Sequence, residues 1–504
     1  SCMDSDASYR VVRPGCAGGE ECTEVAVIGN GPAGLAVSAF LSGMHPYYDS
    51  LIGHPDDDVH RRLTRLEQFS LIDQDLSWYE EKVMEDADRA MGYLYDTLAR
   101  PSIGSVGESR GLPCLRWAAQ PARAVPHIVL GATAPGGSWN THDPQMIAVS
   151  VGGLLDLPGY PMAAWLQDMK SARERLPAAV VAAYMNDYPR RLGISARVRS
   201  GTLVTRVNKT PAGLWRVSGV SALSVRPFSL LARRVVLATG RMRQRTLEVI
   251  GEEGNSRVVY TIQQLKEGMN EQITVPTAPC HSAAMFAEFD PVIVVGDGIS
   301  SADAVLYCMQ RGRRVMHVIR KSEHELRRSA ARLRSRFSAS LYPEYCSIFE
   351  LIQNRAQHTL YSRRVGACVD KIDGSVVHLR TRAGVTEEPF SLLVACIGQR
   401  STFEGVLQRE TGADQALLPS FGRDYRAEDD PSLFCVGSAV GDHYVRFLVG
   451  GCMNVAQQIV AEHECGSNLV VDDPLLDTVV DEEMEIPRAA DALDGDDGLL
   501  EISC

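Results

Sequence analysis

The stretch Val25-Ala26-Val27-Ile28-Gly29-Asn30-Gly31-Pro32-Ala33-Gly34 decides the fold. Its apolar, β-branched start predicts a buried strand, and the residues after Gly31 are compatible with a helix. Between them, Gly29 makes the tight turn and Gly31 lets backbone N–H groups approach a bound diphosphate. Gly34 allows the helix to pack on the strand, and the helix N-terminus favours negative charge. One such fingerprint is weak evidence against an ordinary glycine turn. A second, Val292-Ile293-Val294-Val295-Gly296-Asp297-Gly298-Ile299-Ser300-Ser301, repeats the same context, with Gly296, Gly298 and the small Ser301 at the matching positions. Two fingerprints predict an α/β chain with two dinucleotide-binding domains.

The intervening sequence suggests how they are arranged. An uninterrupted unit places its second strand roughly 20–30 residues after the glycines. Here the best candidate is His127-Ile128-Val129-Leu130-Gly131, so residues 45–126 form an insert. Periodicity at Leu63, Leu66, Phe69, Leu71 and Ile72, and again at Tyr93, Leu94 and Leu98, predicts a helical cap there. Each fingerprint is followed by a hairpin and a buried strand ending in glycine. The first set is Thr202–Asn208, a turn at 211–213, and Val235-Val236-Leu237-Ala238-Thr239-Gly240. The second is Val365–Ile372, Val376–Leu379 and Leu392-Leu393-Val394-Ala395-Cys396-Ile397-Gly398. The simplest arrangement nests one domain in the other. It has a flexible leader at 1–22, a first nucleotide domain at 23–240 resumed at 391–465, a nested domain at 241–390, and an acidic disordered tail at 466–504.

Composition restricts the partners. The chain has 504 residues and a net charge of −12, but residues 471–504 carry twelve acids against Arg488 alone. The remaining body is nearly neutral, with no global field to attract nucleic acid, while the tail is a candidate arm for a protein partner. No run approaches the ~18 apolar residues of a membrane span. Thirteen cysteines lack any C-x-x-C pair and predict a reduced cytoplasmic protein with packed or surface thiols.

A chain with two such sites usually moves electrons from a nicotinamide to a flavin. The strand Val315-Met316-His317-Val318-Ile319 ends in Arg320-Lys321, where cations accommodate a 2′-phosphate and an acid would hold a ribose hydroxyl. NADPH is therefore expected at Gly296, Gly298 and Ser301, with Arg320 and Lys321 at its phosphate. FAD is expected at Gly29, Gly31, Gly34 and Gly240, with Gly136, Gly137 and Trp139 closing over it. The usual ribose acid is missing there, because Gly131-Ala132 ends the second strand. Leu433-Phe434-Cys435-Val436-Gly437 predicts another strand, followed by Asp442 as a ribityl ligand and a helix over Asn454–Val460. The helix after Gly34 lacks the paired cysteines of a disulfide reductase, and an amine oxidase needs no second fingerprint.

The chain resembles the oxidative-stress-induced growth inhibitor family, relatives of flavin-containing monooxygenases. The resemblance runs from about 25 to 462 and is carried by Val27–Pro32, Ser70-Leu71-Ile72-Asp73-Gln74-Asp75-Leu76, Tyr95-Asp96-Thr97-Leu98 and Pro126–Gly131. It continues through Pro135–Trp139, Leu157-Pro158-Gly159, Ser300–Leu306, Leu341-Tyr342-Pro343-Glu344-Tyr345 and Gly441-Asp442-His443-Tyr444-Val445-Arg446-Phe447. It implies an NADPH-dependent flavin monooxygenase-like protein linked to growth control, cell death and cytokinesis, with a cytoskeletal or midbody association and no defined substrate. The F-x-G-x-x-x-H-x-x-x-[YW] fingerprint of better-known monooxygenases is absent, the corresponding stretch reading Val258–Gln264. No catalytic base is nominated. His443 and Arg446 are candidates to test, with structural contact as their simpler role. The alternative is a regulatory protein using this fold as a scaffold with little or no turnover.

Overall fold

A computed structural model describes residues 20–82, 90–101, 112–222, 224–274, 290–328, 342–407 and 419–466. The acidic tail and nearly all of the leader lie outside these residues; Glu21 and Cys22 already belong to the first strand. The chain divides into two compact units, with crossings at 242/243 and 400/401.

In the first unit a parallel core runs in the order Asp430–Cys435, Pro227–Leu237, Glu21–Ile28, His127–Leu130 and Val198–Arg199. Val25 to Ile28 are buried on both faces, which is why the run is continuously apolar rather than alternating. An antiparallel meander, Thr202–Lys209 and Trp215–Ser221, pairs with the start of Pro227–Leu237. The second unit repeats the core as Val258–Val259, Leu392–Ala395, Val292–Val295, Val315–Ile319 and Tyr361–Val365, all parallel. Its meander is Cys368–Asp373, Val376–Thr381 and Gly384–Pro389. In both sheets the fingerprint strand is central and its neighbours come in corresponding order.

Three expectations are corrected. Leu392–Ala395 pairs with Val292–Val295, so the nested unit extends to 400 and not to 390. The insert is not purely helical: Met44–Tyr48 and Leu115–Ala119 form an antiparallel ribbon at its base. Its first helix, Asp57–Thr64, ends before Leu66 and Phe69, which are exposed. The last helix spans Val445–Gly466, starting nine residues earlier than its apolar periodicity suggests. Described cysteines are free and buried or half-buried, apart from exposed Cys465 and disulfide-bonded Cys22.

Candidate dinucleotide sites

The first fingerprint is built as the glycine spacing requires. Gly29 has φ +114°, and a Cβ there would stand 2.3 Å from the Ala238 carbonyl oxygen. A Cβ on Gly34 would stand 1.8 Å from the Gly29 carbonyl oxygen, so helix and turn pack backbone to backbone. Gly31 caps the helix Pro32–Leu41 with no side-chain hydrogen bond, leaving its first N–H groups for a ligand. The turn at Gly136 docks beside it through a 2.8 Å bond from the Gly136 N–H to the Asn30 carbonyl. Gly137 comes so close that its Cβ would lie 2.8 Å from Gly31 Cα. Gly437 abuts Ala33, and Gly240 abuts the Ser438 hydroxyl. The fold thus brings Gly29, Gly31, Gly34, Gly136, Gly137, Gly240 and Gly437 around one helix N-terminus. Trp139 is half-buried against His142, and Asp442 is buried with its N–H bonded to the Gly437 carbonyl. The Thr239 hydroxyl nearby is enclosed and makes no hydrogen bond among the described residues. A cradle of bare backbone with an uncapped helix end suits the diphosphate of FAD.

At the second fingerprint Gly296 has φ +126°, and a Cβ would stand 2.3 Å from the Cys396 carbonyl oxygen. Gly298 caps the helix Ile299–Gln310 without a side-chain bond, and nothing lies within 4 Å of its own Cβ direction. Ser301 is fully buried, and its hydroxyl donates to the Gly298 carbonyl at 2.7 Å. This cradle also suits a dinucleotide diphosphate. Arg320 is exposed at the strand end, whereas Lys321 Nζ is 2.5 Å from Asp297 Oδ2.

Several residues not singled out as site residues in the sequence hold these turns. Asn30, 2% exposed, donates its amide to the Thr133 carbonyl at 2.7 Å. Its side chain covers Gly131, where a Cβ would stand 2.0 Å from Asn30 Cγ. The glycine at the place of the usual ribose acid is therefore required by packing. His317 donates from Nε2 to the Gly296 carbonyl at 2.6 Å and accepts from the Tyr361 hydroxyl at 3.0 Å. Burial holds it neutral and brings its pKa down to about 4. His127 donates from Nδ1 to the Val125 carbonyl and accepts from the Ser38 hydroxyl; burial takes its pKa to about 3.

Arg446 is not free for catalysis. Its guanidinium grips Asp96 on the insert helix Ala90–Ala99, and Arg100 takes the same carboxylate at 3.0 Å. At this crossing the helices touch through glycine, since a Cβ on Gly450 would stand 2.1 Å from the Met91 carbonyl oxygen and one on Gly92 would stand 2.7 Å from that of Phe447. Burial pushes the nearby Asp156 up to about 6, against the pull of Arg100. His443 is exposed. In the second unit the Tyr345 hydroxyl donates to Asp303 at 2.9 Å. The motifs around Asp96 and Arg446, and around Asp303 and Tyr345, therefore meet in pairs. Among the described residues no helix is long and apolar enough to cross a membrane, and no group of three metal-ligating side chains is present.

No protein-family profile matches the chain. An oxidative stress induced growth inhibitor homolog from Caenorhabditis elegans is 37% identical over 453 residues, covering 88% of this chain and 96% of that protein. Oxidative stress-induced growth inhibitor 1 from Homo sapiens is 28% identical over 481 residues with the same coverage. Among solved structures, the bacillithiol disulfide reductase of Bacillus cereus superposes with a TM-score of 0.51 at 15% identity, covering 88% of this chain and 99% of that one. Ornithine hydroxylase from Pseudomonas aeruginosa, in its reduced form, gives 0.51 at 14% identity, covering 88% and 98%. These two likenesses concern the fold.

Proposed function

The chain belongs to the oxidative stress-induced growth inhibitor family, and on that premise we propose that it is an NADPH-dependent flavoprotein of the monooxygenase type acting in growth control. One observation carries the reading. Two copies of the same five-strand parallel core each end in a glycine cradle at an uncapped helix N-terminus. Gly29, Gly31 and Gly34, with Gly136, Gly137 and Gly437, would hold the FAD diphosphate. Trp139 would close the cradle's edge, Gly240 would leave backbone room, and Asp442 would take the ribityl chain. Gly296, Gly298 and Ser301 would hold NADPH, with the cations at 320 and 321 on its phosphate side. When bound, FAD supplies hydride acceptance from NADPH and reaction with oxygen. The chain's own part is to hold each nucleotide in its own cradle and to fix the turns from beneath through His317 and Asn30. Arg446 serves as a positioning residue that ties the insert to the last helix. We place the protein in the cytoplasm, with a cytoskeletal or midbody association and a protein partner for the acidic tail.

A second reading, a regulatory scaffold with little turnover, draws on Asn30. Its buried amide fills the place of a ribose-binding carboxylate and is committed to Thr133. The experiment is the visible spectrum of purified protein after incubation with FAD and gel filtration, then with NADPH under anaerobic conditions. A retained flavin band that bleaches with NADPH and returns with oxygen supports the enzyme. A band that NADPH does not bleach, or no retained flavin, supports the scaffold.

A further inference from the structure

The second fingerprint contains a residue that works against its own ligand. Asp297, between the two glycines, puts a carboxylate one residue before Gly298, which caps the helix whose N-terminus would receive a diphosphate. The backbone just before it is held in place. Gly296 is pinned by its N–H bond to the Val318 carbonyl at 3.0 Å, by the His317 imidazole on its own carbonyl at 2.6 Å, and by its close approach to Cys396. A negative charge adjacent in sequence to that cradle opposes an incoming phosphate. The structure offsets it at one point only among the described residues: Lys321, whose ammonium lies 2.5 Å from Asp297 Oδ2. Arg320, its neighbour at the same strand end, is exposed and makes no ion pair among the described residues.

We infer that the two adjacent cations divide the work: Lys321 neutralises Asp297 so that the turn accepts any dinucleotide diphosphate, and Arg320 alone discriminates NADPH from NADH. The inference rests on the reading of the second fingerprint as the nicotinamide nucleotide site. It assigns Lys321 a positioning role through Asp297 instead of a contact with the 2′-phosphate. Because Lys321 acts on the common part of the two ligands, its loss weakens both alike. Loss of Arg320 weakens only the one that carries the extra phosphate.

The test is calorimetric titration of NADPH and NADH into the full chain, native and as Lys321→Ala, Arg320→Ala and the double variant Asp297→Asn/Lys321→Ala. Thermal unfolding of each unliganded variant checks its folding. Lys321→Ala is expected to weaken both nucleotides by about three- to tenfold, leaving their ratio unchanged. The double variant is expected to restore both to within about twofold of native. Arg320→Ala is expected to lower NADPH affinity by about tenfold and leave NADH unchanged. A selective loss of NADPH in Lys321→Ala, or failure of Asp297→Asn to rescue it, would overturn the division of work while leaving the site itself in place. A native chain that binds neither nucleotide would overturn the site reading and the inference together.

Discussion

Asn30 and Asp297 stand at the same point of two copies of one turn, and each reaches over the end of the neighbouring strand. Asn30 lays a neutral amide on Gly131 and bonds the Thr133 carbonyl, deep in the first unit. Asp297 carries a half-exposed charge to Lys321. The backbone is bound by the same sterics in both copies, because Gly29 and Gly296 have positive φ and press on a carbonyl oxygen from the neighbouring strand's end. The difference teaches that the glycines carry the fold of the site, whereas the residue between them is free to specialise, as a packing element in one copy and an electrostatic one in the other.

The comparison is most severely tested by Asp96→Ala. It leaves Arg100 and Arg446 facing each other without their shared carboxylate, at a cost of about 3–5 kcal/mol. Calorimetry should show the first unit's unfolding transition shifted and the second unit's unchanged; a uniform shift would mean the copies are not independent. Next come Gly29→Ala and Gly296→Ala, each forcing a Cβ into a backbone oxygen at positive φ for about 2–4 kcal/mol in its own unit. Gly298→Ala, with open space around it, should leave unfolding unchanged and impair only nucleotide binding.

Acid sharpens the contrast further. His127 is held near 3 in the folded chain and His317 near 4, both below the 6.5 of an exposed histidine. The unfolded chain therefore binds protons first, and stability falls as pH drops below about 6.5, by up to about 1.4 kcal/mol per pH unit for each group. Replacing His127 by Gln should reduce the first unit's pH dependence between 6.5 and about 3, leaving the share of buried His45, and His317→Gln should reduce the second's between 6.5 and about 4. Equilibrium unfolding across that range checks both. The smallest effects separate the middle residues themselves. Asn30→Ala should cost about 1–2 kcal/mol for the lost bond to the half-buried Thr133 carbonyl and the gap left over Gly131, whereas Asp297→Asn, on a partly exposed pair, should cost under about 0.5 kcal/mol.

Both fingerprints, the strands beside them and the repeated meanders were legible because buried parallel strands read as apolar runs ending in glycine. The ribbon Met44–Tyr48 with Leu115–Ala119 was not, since neither segment alternates and the pairing spans the whole insert. The nested unit's end was misplaced by ten residues because the boundary at 390 fell before Leu392–Ala395, the strand that closes the second repeat. The early start of the last helix was hidden because Val445-Arg446-Phe447 mixes a charge into its first turn. Side-chain partners at long range, such as Asp96 with Arg446 and Asp297 with Lys321, leave no periodic trace in a sequence.

Nesting also sets an order of assembly. Pro227–Leu237 is the neighbour of Asp430–Cys435 in the first sheet, yet roughly two hundred residues separate them, about 10–40 s of synthesis at about 5–20 residues per second. Throughout that interval an emerging first unit holds a sheet with one open flank and an insert whose helix has no Arg446 to grip. The second unit, synthesised meanwhile, already carries all of its own strands. All strands of the nested unit are therefore synthesised before the last strand of the outer sheet, so the outer unit is the one whose sheet waits longest for its full set of strands.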